Sequence, residues 1–124
     1  MFVNRPRFYI LKGRMPVAVD DPAACEEFFK NVLNRRVAFT KVSPKSHVST
    51  VFLCLDHSFD VEGPPILFET LVFGGELADD MARYSTWDDA VAGHEKMVKR
   101  VLEAEGASFL DPWENRVQSI LYDD

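Results

Sequence analysis

The sequence predicts an α+β fold, an antiparallel sheet of about three to five strands with two helices packed on it. Three observations carry this expectation. VSTVFLCLDHSF and PPILFETLVFGG read as two strongly apolar strands around a short proline-closed loop. DPAACEEFFKNVLN and STWDDAVAGHEKMVKRVLEAEG place apolar residues at helical spacing. No repeat, linker or low-complexity run divides the 124 residues, so one domain spans 1–124, with 107–124 a C-terminal segment docked on it or partly flexible.

The elements follow in chain order. Phe8–Leu11 and Val17–Val19 form a broken strand or short hairpin, interrupted at Lys12-Gly13-Arg14 and restricted by Pro16 to an edge or strand start. Asp21 is an N-cap ahead of Pro22, and Cys25, Phe28, Phe29, Val32 and Leu33 recur with helical period, which predicts a helix over Pro22–Asn34. Strands near 35–42, 48–56 and 65–73 make an antiparallel meander, with Ser43-Pro44-Lys45-Ser46 as a turn. A symmetric closure of the last hairpin sets Leu53 opposite Phe68 and Phe52 opposite Glu69, with Thr50, Phe52, Cys54, Leu67, Glu69 and Leu71 on one face. Gly74-Gly75 ends the sheet, and a polar connection leads to a helix over Trp87–Glu105, capped by Ser85 or Thr86, with the stripe Ala90, Val91, His94, Met97, Val98, Val101 and Leu102.

Composition removes several function classes. A net charge of −6 disfavours general nucleic-acid binding, which needs a basic face, although Arg35, Arg36, Lys41 and Lys45 make a local basic run. No stretch approaches the roughly 18 apolar residues of a membrane span. The first twenty residues have no apolar core of a leader, and Cys25 and Cys54 read as buried free thiols, so a cytoplasmic setting is expected. GxxxxGK[ST], GxGxxG, GxSxG and HExxH are all absent, which leaves nucleotide hydrolysis, serine hydrolysis and zinc peptidase chemistry without a signal.

The candidate ligand-binding residues are Asp56, His57, Glu69, Arg83, Tyr84, Trp87 and His94. Two histidines and carboxylates could bind a divalent metal or move a proton, but the spacing of His57, Glu69 and His94 is not that of a ligand set. Each also has a structural reading. A mid-strand carboxylate needs a partner, so Glu69 is expected to bond Arg83, Tyr84, Arg36 or the Ser85-Thr86 cap; His94 on an apolar helical face is a satisfied core histidine; Asp56-His57-Ser58 is turn chemistry; and His47 is exposed beside its turn. A further reading puts Arg83, Tyr84 and Trp87 at the rim of a pocket for a nucleotide-like ligand. Ten phenylalanines, two tryptophans and three tyrosines are a heavy aromatic load, and exposed members such as Phe59 among acidic residues suit a protein-binding surface.

Across VSTVFLCLDHSF, PPILFETLVFGG and RYSTWDDAVAGHE, and at the MPVAVDD entry to the first helix, the chain resembles a widespread group of small proteins encoded by tailed phages and prophages. The resemblance covers most of Arg35 to about Ala104, and glycine is frequent in that group where this chain has Cys54. It implies origin rather than mechanism. Small acidic accessory proteins of phages often act by binding host or phage proteins, an analogy at the level of the group. The expectation is therefore a non-enzymatic accessory protein of the host-cell cytoplasm that binds a host or phage protein, in one form interfering with host antiviral defence. No cofactor or metal is expected, and an exposed apolar sheet edge would suit a homodimer. The alternative is a small-ligand-binding or metal-dependent enzyme around His57, Glu69 and His94.

Overall fold

The computed structural model describes residues 6–60 and 62–106 and the backbone of a short strand at 122–123. Its elements are β1 (Phe8–Lys12), β2 (Met15–Val19), α1 (Pro22–Lys30), α2 (Val32–Arg35), β3 (Arg36–Lys41), β4 (His47–Phe52), β5 (Phe68–Phe73), β6 (Met81–Tyr84), α3 (Trp87–Gly106) and β7 (Tyr122–Asp123). β1 and β2 form a two-stranded hairpin, and a five-stranded antiparallel sheet runs β6-β5-β4-β3-β7. The predicted α+β class and the meander of β3, β4 and β5 are present. The C-terminal expectation for 107–124 falls outside the described residues apart from β7.

Four details depart from the sequence reading. The predicted helix over Pro22–Asn34 is two helices, because Asn31 takes an extended conformation and its side chain accepts from Leu33 N at 3.0 Å, starting α2 afresh. The strand predicted over 48–56 stops at Phe52, since Cys54 sits at φ 66, a left-handed conformation that cannot continue the ladder. The sheet does not end at Gly74-Gly75: the chain returns as β6, whose four residues Met81-Ala82-Arg83-Tyr84 are too short to show alternation. The hairpin register is one residue from the symmetric closure, with Phe52 opposite Phe68, Thr50 opposite Thr70 and Val51 opposite Glu69. That single step moves Glu69 and Leu71 to the opposite face from Thr50 and Phe52.

The register explains the core. Val48, Thr50, Phe52, Phe68, Thr70 and Val72 are buried on the face that receives α3, and a bulge between Arg36 and Ala38 allows Val37 and Ala38 both to be buried. α3 packs with Ala90, His94, Met97 and Val101, so its predicted stripe is the one it buries. One apolar cluster joins Val37, Phe52, Leu67, Phe68 and Ala90 with Leu11 and Cys25, and Phe28 meets Phe52 edge-on at 6.0 Å. A second joins Val42, Val48, Val72, Met97 and Val101. Gly93 is required for close approach here, because a Cβ would lie 2.2 Å from the Tyr84 ring.

The β1–β2 hairpin is stitched to the end of β4 rather than to its edge. Tyr9 N donates to the Cys54 carbonyl at 2.8 Å, Asp56 N donates to the Arg7 carbonyl at 2.9 Å, and Phe8 bridges Leu55. At the other end of the molecule Glu105, 3% exposed, accepts from the Ser43 hydroxyl at 2.8 Å and from the Ser46 hydroxyl at 3.1 Å through Oε1. These bonds tie the C-terminal turn of α3 to the β3–β4 turn.

Candidate functional site

The sheet divides the predicted site residues. His94 projects from α3 into the core, wholly buried, with Nε2 2.9 Å from Thr40 Oγ1 and Nδ1 2.7 Å from Thr50 Oγ1. Thr50 in turn bonds Thr70 through their hydroxyls. Glu69 lies on the opposite face, where Arg83 Nε donates to its Oε2 at 2.9 Å. Both side chains are partly solvated, at 36% and 18% exposure, so the pair is worth under about 1 kcal/mol and serves alignment more than stability. His57 stands beyond the end of β4, its Nδ1 donating to the Leu55 carbonyl at 2.7 Å. The structure therefore does not bring His57, Glu69 and His94 together.

The structural readings of these residues describe what is found. Glu69 has its arginine, and His94 is held by hydroxyls. Asp56 Oδ1 accepts from Ser58 N at 2.8 Å and from Ile66 N at 2.9 Å, which closes the loop between β4 and β5. Among the described residues no group of three or more His, Cys, Asp or Glu is placed to hold a metal ion. No described helix is long and apolar enough to cross a membrane.

Arg83, Tyr84 and Trp87 do not share a rim. Arg83 is committed to Glu69, while Tyr84 packs on the core and Trp87 meets Phe68 edge-on at 6.3 Å. Arg14 reaches the Trp87 ring instead, 5.7 Å from its centroid. A cavity of about 650 Å³ adjoins Trp87, and its cationic residues are Lys12 and Arg14.

The feature that sequence reading missed is the face of the sheet opposite α3. Register places its side chains in three rows: Lys41, His47 and Phe73; then Phe39, Ser49, Leu71 and Met81; then Arg36, Val51, Glu69 and Arg83. Among the described residues no helix covers it. Phe73 is 43% exposed and Met81 50% exposed, large values for apolar side chains in strands. Phe39, His47 and Phe73 stack in sequence at 4.8 and 4.7 Å, and the Arg36 guanidinium lies 5.0 Å from the Phe39 ring. The face is apolar and aromatic at its centre with Arg36, Lys41 and Arg83 at its margins. Strict alternation within each strand is the signal that could have found it, had the register been known.

His47 is the correction with chemical content, for it is half-buried between two phenyl rings rather than exposed at a turn. Burial, and then the neighbouring Lys41 charge, hold its pKa below the ordinary 6.5. The folded state thus disfavours the imidazolium and the unfolded chain binds the extra proton. The associated stability is present in full above pH 6.5 and is lost as pH falls through the folded-state pKa. Replacing His47 with glutamine is expected to flatten the decline of melting temperature between neutral and mildly acidic pH; parallel declines in the two proteins would reject this assignment.

Comparison with protein-family models, with curated proteins and with solved structures found no match. The functional reading rests on the site itself.

Proposed function

We propose that the chain is a non-enzymatic binding protein that docks a protein partner on the sheet face opposite α3. The observation that carries this is the contiguous block of Phe39, His47, Leu71, Phe73 and Met81 on adjacent strands, with Phe73 and Met81 exposed and the other three half-buried, and with Arg36, Lys41 and Arg83 around it. Isolated apolar residues on a surface need no explanation, but a contiguous set on a rigid sheet does. Three strands of six residues and one of four make a face of roughly 19 by 20 Å at its widest. That suits the desolvated centre of an interface burying about 800 Å² per partner. Among the residues of β3 to β6 on this face, Arg36, Lys41 and Arg83 stand against the carboxylate of Glu69, which argues for a partner whose apolar ridge has an acidic rim.

The sequence resemblance supplies the finer form of the proposal, that the chain is a phage or prophage accessory protein whose partner is a host or phage protein, with interference in host antiviral defence as its use. The test is retention of a stoichiometric partner from host lysate by the intact chain, compared with Phe73→Asp and with Phe59→Asp. Phe59 is fully exposed and lies away from the face, so its variant controls for nonspecific adhesion. The expected result is a partner lost at least tenfold with Phe73→Asp and kept with Phe59→Asp, because a charge buried at an interface centre costs well over about 1.4 kcal/mol. A partner kept by both variants, or none retained by the parent, overturns the proposal.

A further inference from the structure

A cavity of about 540 Å³ opens between α1, the start of β1 and the end of β4, and shares no lining residue with the proposed docking face. This volume lies within the roughly 300–1,000 Å³ of small-molecule sites. Its apolar walls include Phe8 and Phe29, its floor is the pair of buried cysteines Cys25 and Cys54, and Glu26 and His57 are its ionisable residues.

The floor is uncharged. Burial, followed by the adjoining Cys25 thiol, pushes the Cys54 thiol up to about 12, so it stays protonated. Cys25 Sγ donates to the Cys54 carbonyl at 3.3 Å, an oxygen that also accepts from Tyr9 N at 2.8 Å. Cys54 holds this arrangement at φ 66, a conformation that a residue with a Cβ rarely adopts. The two sulfurs make a soft, polarisable surface, and Cys54 offers no thiolate to it.

The remaining polar groups are acceptors. A carbonyl cannot donate, so His57 Nδ1 must carry the proton that it gives to Leu55 O at 2.7 Å. In the neutral ring this leaves Nε2 as a bare acceptor. Glu26 is a carboxylate with no ion pair among the described residues, and the neighbouring cation, Arg35, is engaged elsewhere, its Nε donating to the Phe29 carbonyl at 3.1 Å and its guanidinium 3.8 Å from the Phe29 ring centroid. A ligand matched to two acceptors and an apolar wall must bring hydrogen-bond donors and a positive charge on an apolar body. We infer that this cavity binds a small apolar amine, its hydrocarbon part against Phe8 and Phe29 and its ammonium group shared by Glu26 and His57 Nε2.

Benzylamine, benzyl alcohol and benzoate are the probes, titrated into the full chain and followed by calorimetry and by the backbone amide signals of Cys25, Cys54 and Leu55. Benzylamine is expected to bind at least about tenfold more tightly than the alcohol, with benzoate silent, as one charge-assisted contact implies. Glu26→Gln, an exposed change that leaves the fold intact, is expected to remove that preference, and Leu53→Trp, which fills the cavity, to remove binding. Equal affinity for amine and alcohol, preference for benzoate, no binding at millimolar benzylamine, or full amine affinity in Glu26→Gln would each overturn the assignment.

Discussion

Replacing His94 with alanine is expected to cost on the order of 4 kcal/mol, a large part of the roughly 5–15 kcal/mol that holds a domain together. Two losses add. The imidazole is fully buried between α3 and the sheet, so its removal leaves a cavity where partial collapse is the best available relief. Thr40 also loses the ring nitrogen at 2.9 Å, while Thr50 keeps Thr70 when it loses the one at 2.7 Å, and a buried hydroxyl without a partner costs about 1–3 kcal/mol. The melting temperature should fall by roughly 12 °C or more, at about 3–5 °C per kcal/mol for a domain of this size. The quadruple change His94→Leu, Thr40→Val, Thr50→Val and Thr70→Val should recover much of the loss, since it removes the donors and acceptors of the network together. An alanine variant melting within about 5 °C of the parent would show that the network contributes little.

Gly74→Ala is expected to be the most damaging glycine substitution in the loops, at about 3 kcal/mol by chemical denaturation. Gly74 has φ +76, where a Cβ costs about 1–2 kcal/mol from backbone geometry alone. Its Cβ would also stand 2.0 Å from the Lys45 carbonyl oxygen and 3.2 Å from the carbonyl carbon. Both are backbone atoms of the β3–β4 turn, which is held in turn by Ser43 and Ser46 on Glu105, so relief requires moving the turn and the end of α3 together. Gly13 gives the internal control: φ is +64, but nothing lies within 4 Å of a Cβ there. Gly13→Ala should lose only the backbone part, about 1 kcal/mol. Equal losses at the two positions would show that the contact with Lys45 is easily relieved.

The parts of this molecule legible in its sequence are those set by local chemistry. The α3 stripe from Ala90 to Leu102 could be read because a period of 3.6 survives whatever the helix packs on. Asp21 could be read as a cap and Asp56 as a turn former because each bonds a backbone amide two residues away. The need of Glu69 for a partner, and Arg83 as a candidate, also followed from the cost of a lone charge in a strand. The network of Thr40, Thr50, Thr70 and His94 was not legible, since threonine suits any strand and only the pairing of Thr50 with Thr70 aligns the hydroxyls under one ring.

The sequence by itself determined the α+β class, the meander of three strands, the long helix and its buried face, and the structural character of Asp56 and His94. Tertiary structure alone decided which face of the sheet each strand residue occupies. The β4–β5 pairing is shifted by one residue from a symmetric closure, and a period of two turns that shift into a complete exchange of faces. Glu69 and Leu71 are thereby on the face opposite α3, and the stacked row of Phe39, His47 and Phe73 lies beside them, with Phe73 exposed. A one-residue register leaves no trace in composition or periodicity, because it is set by how the 53–67 loop and the Cys54 turn close in three dimensions.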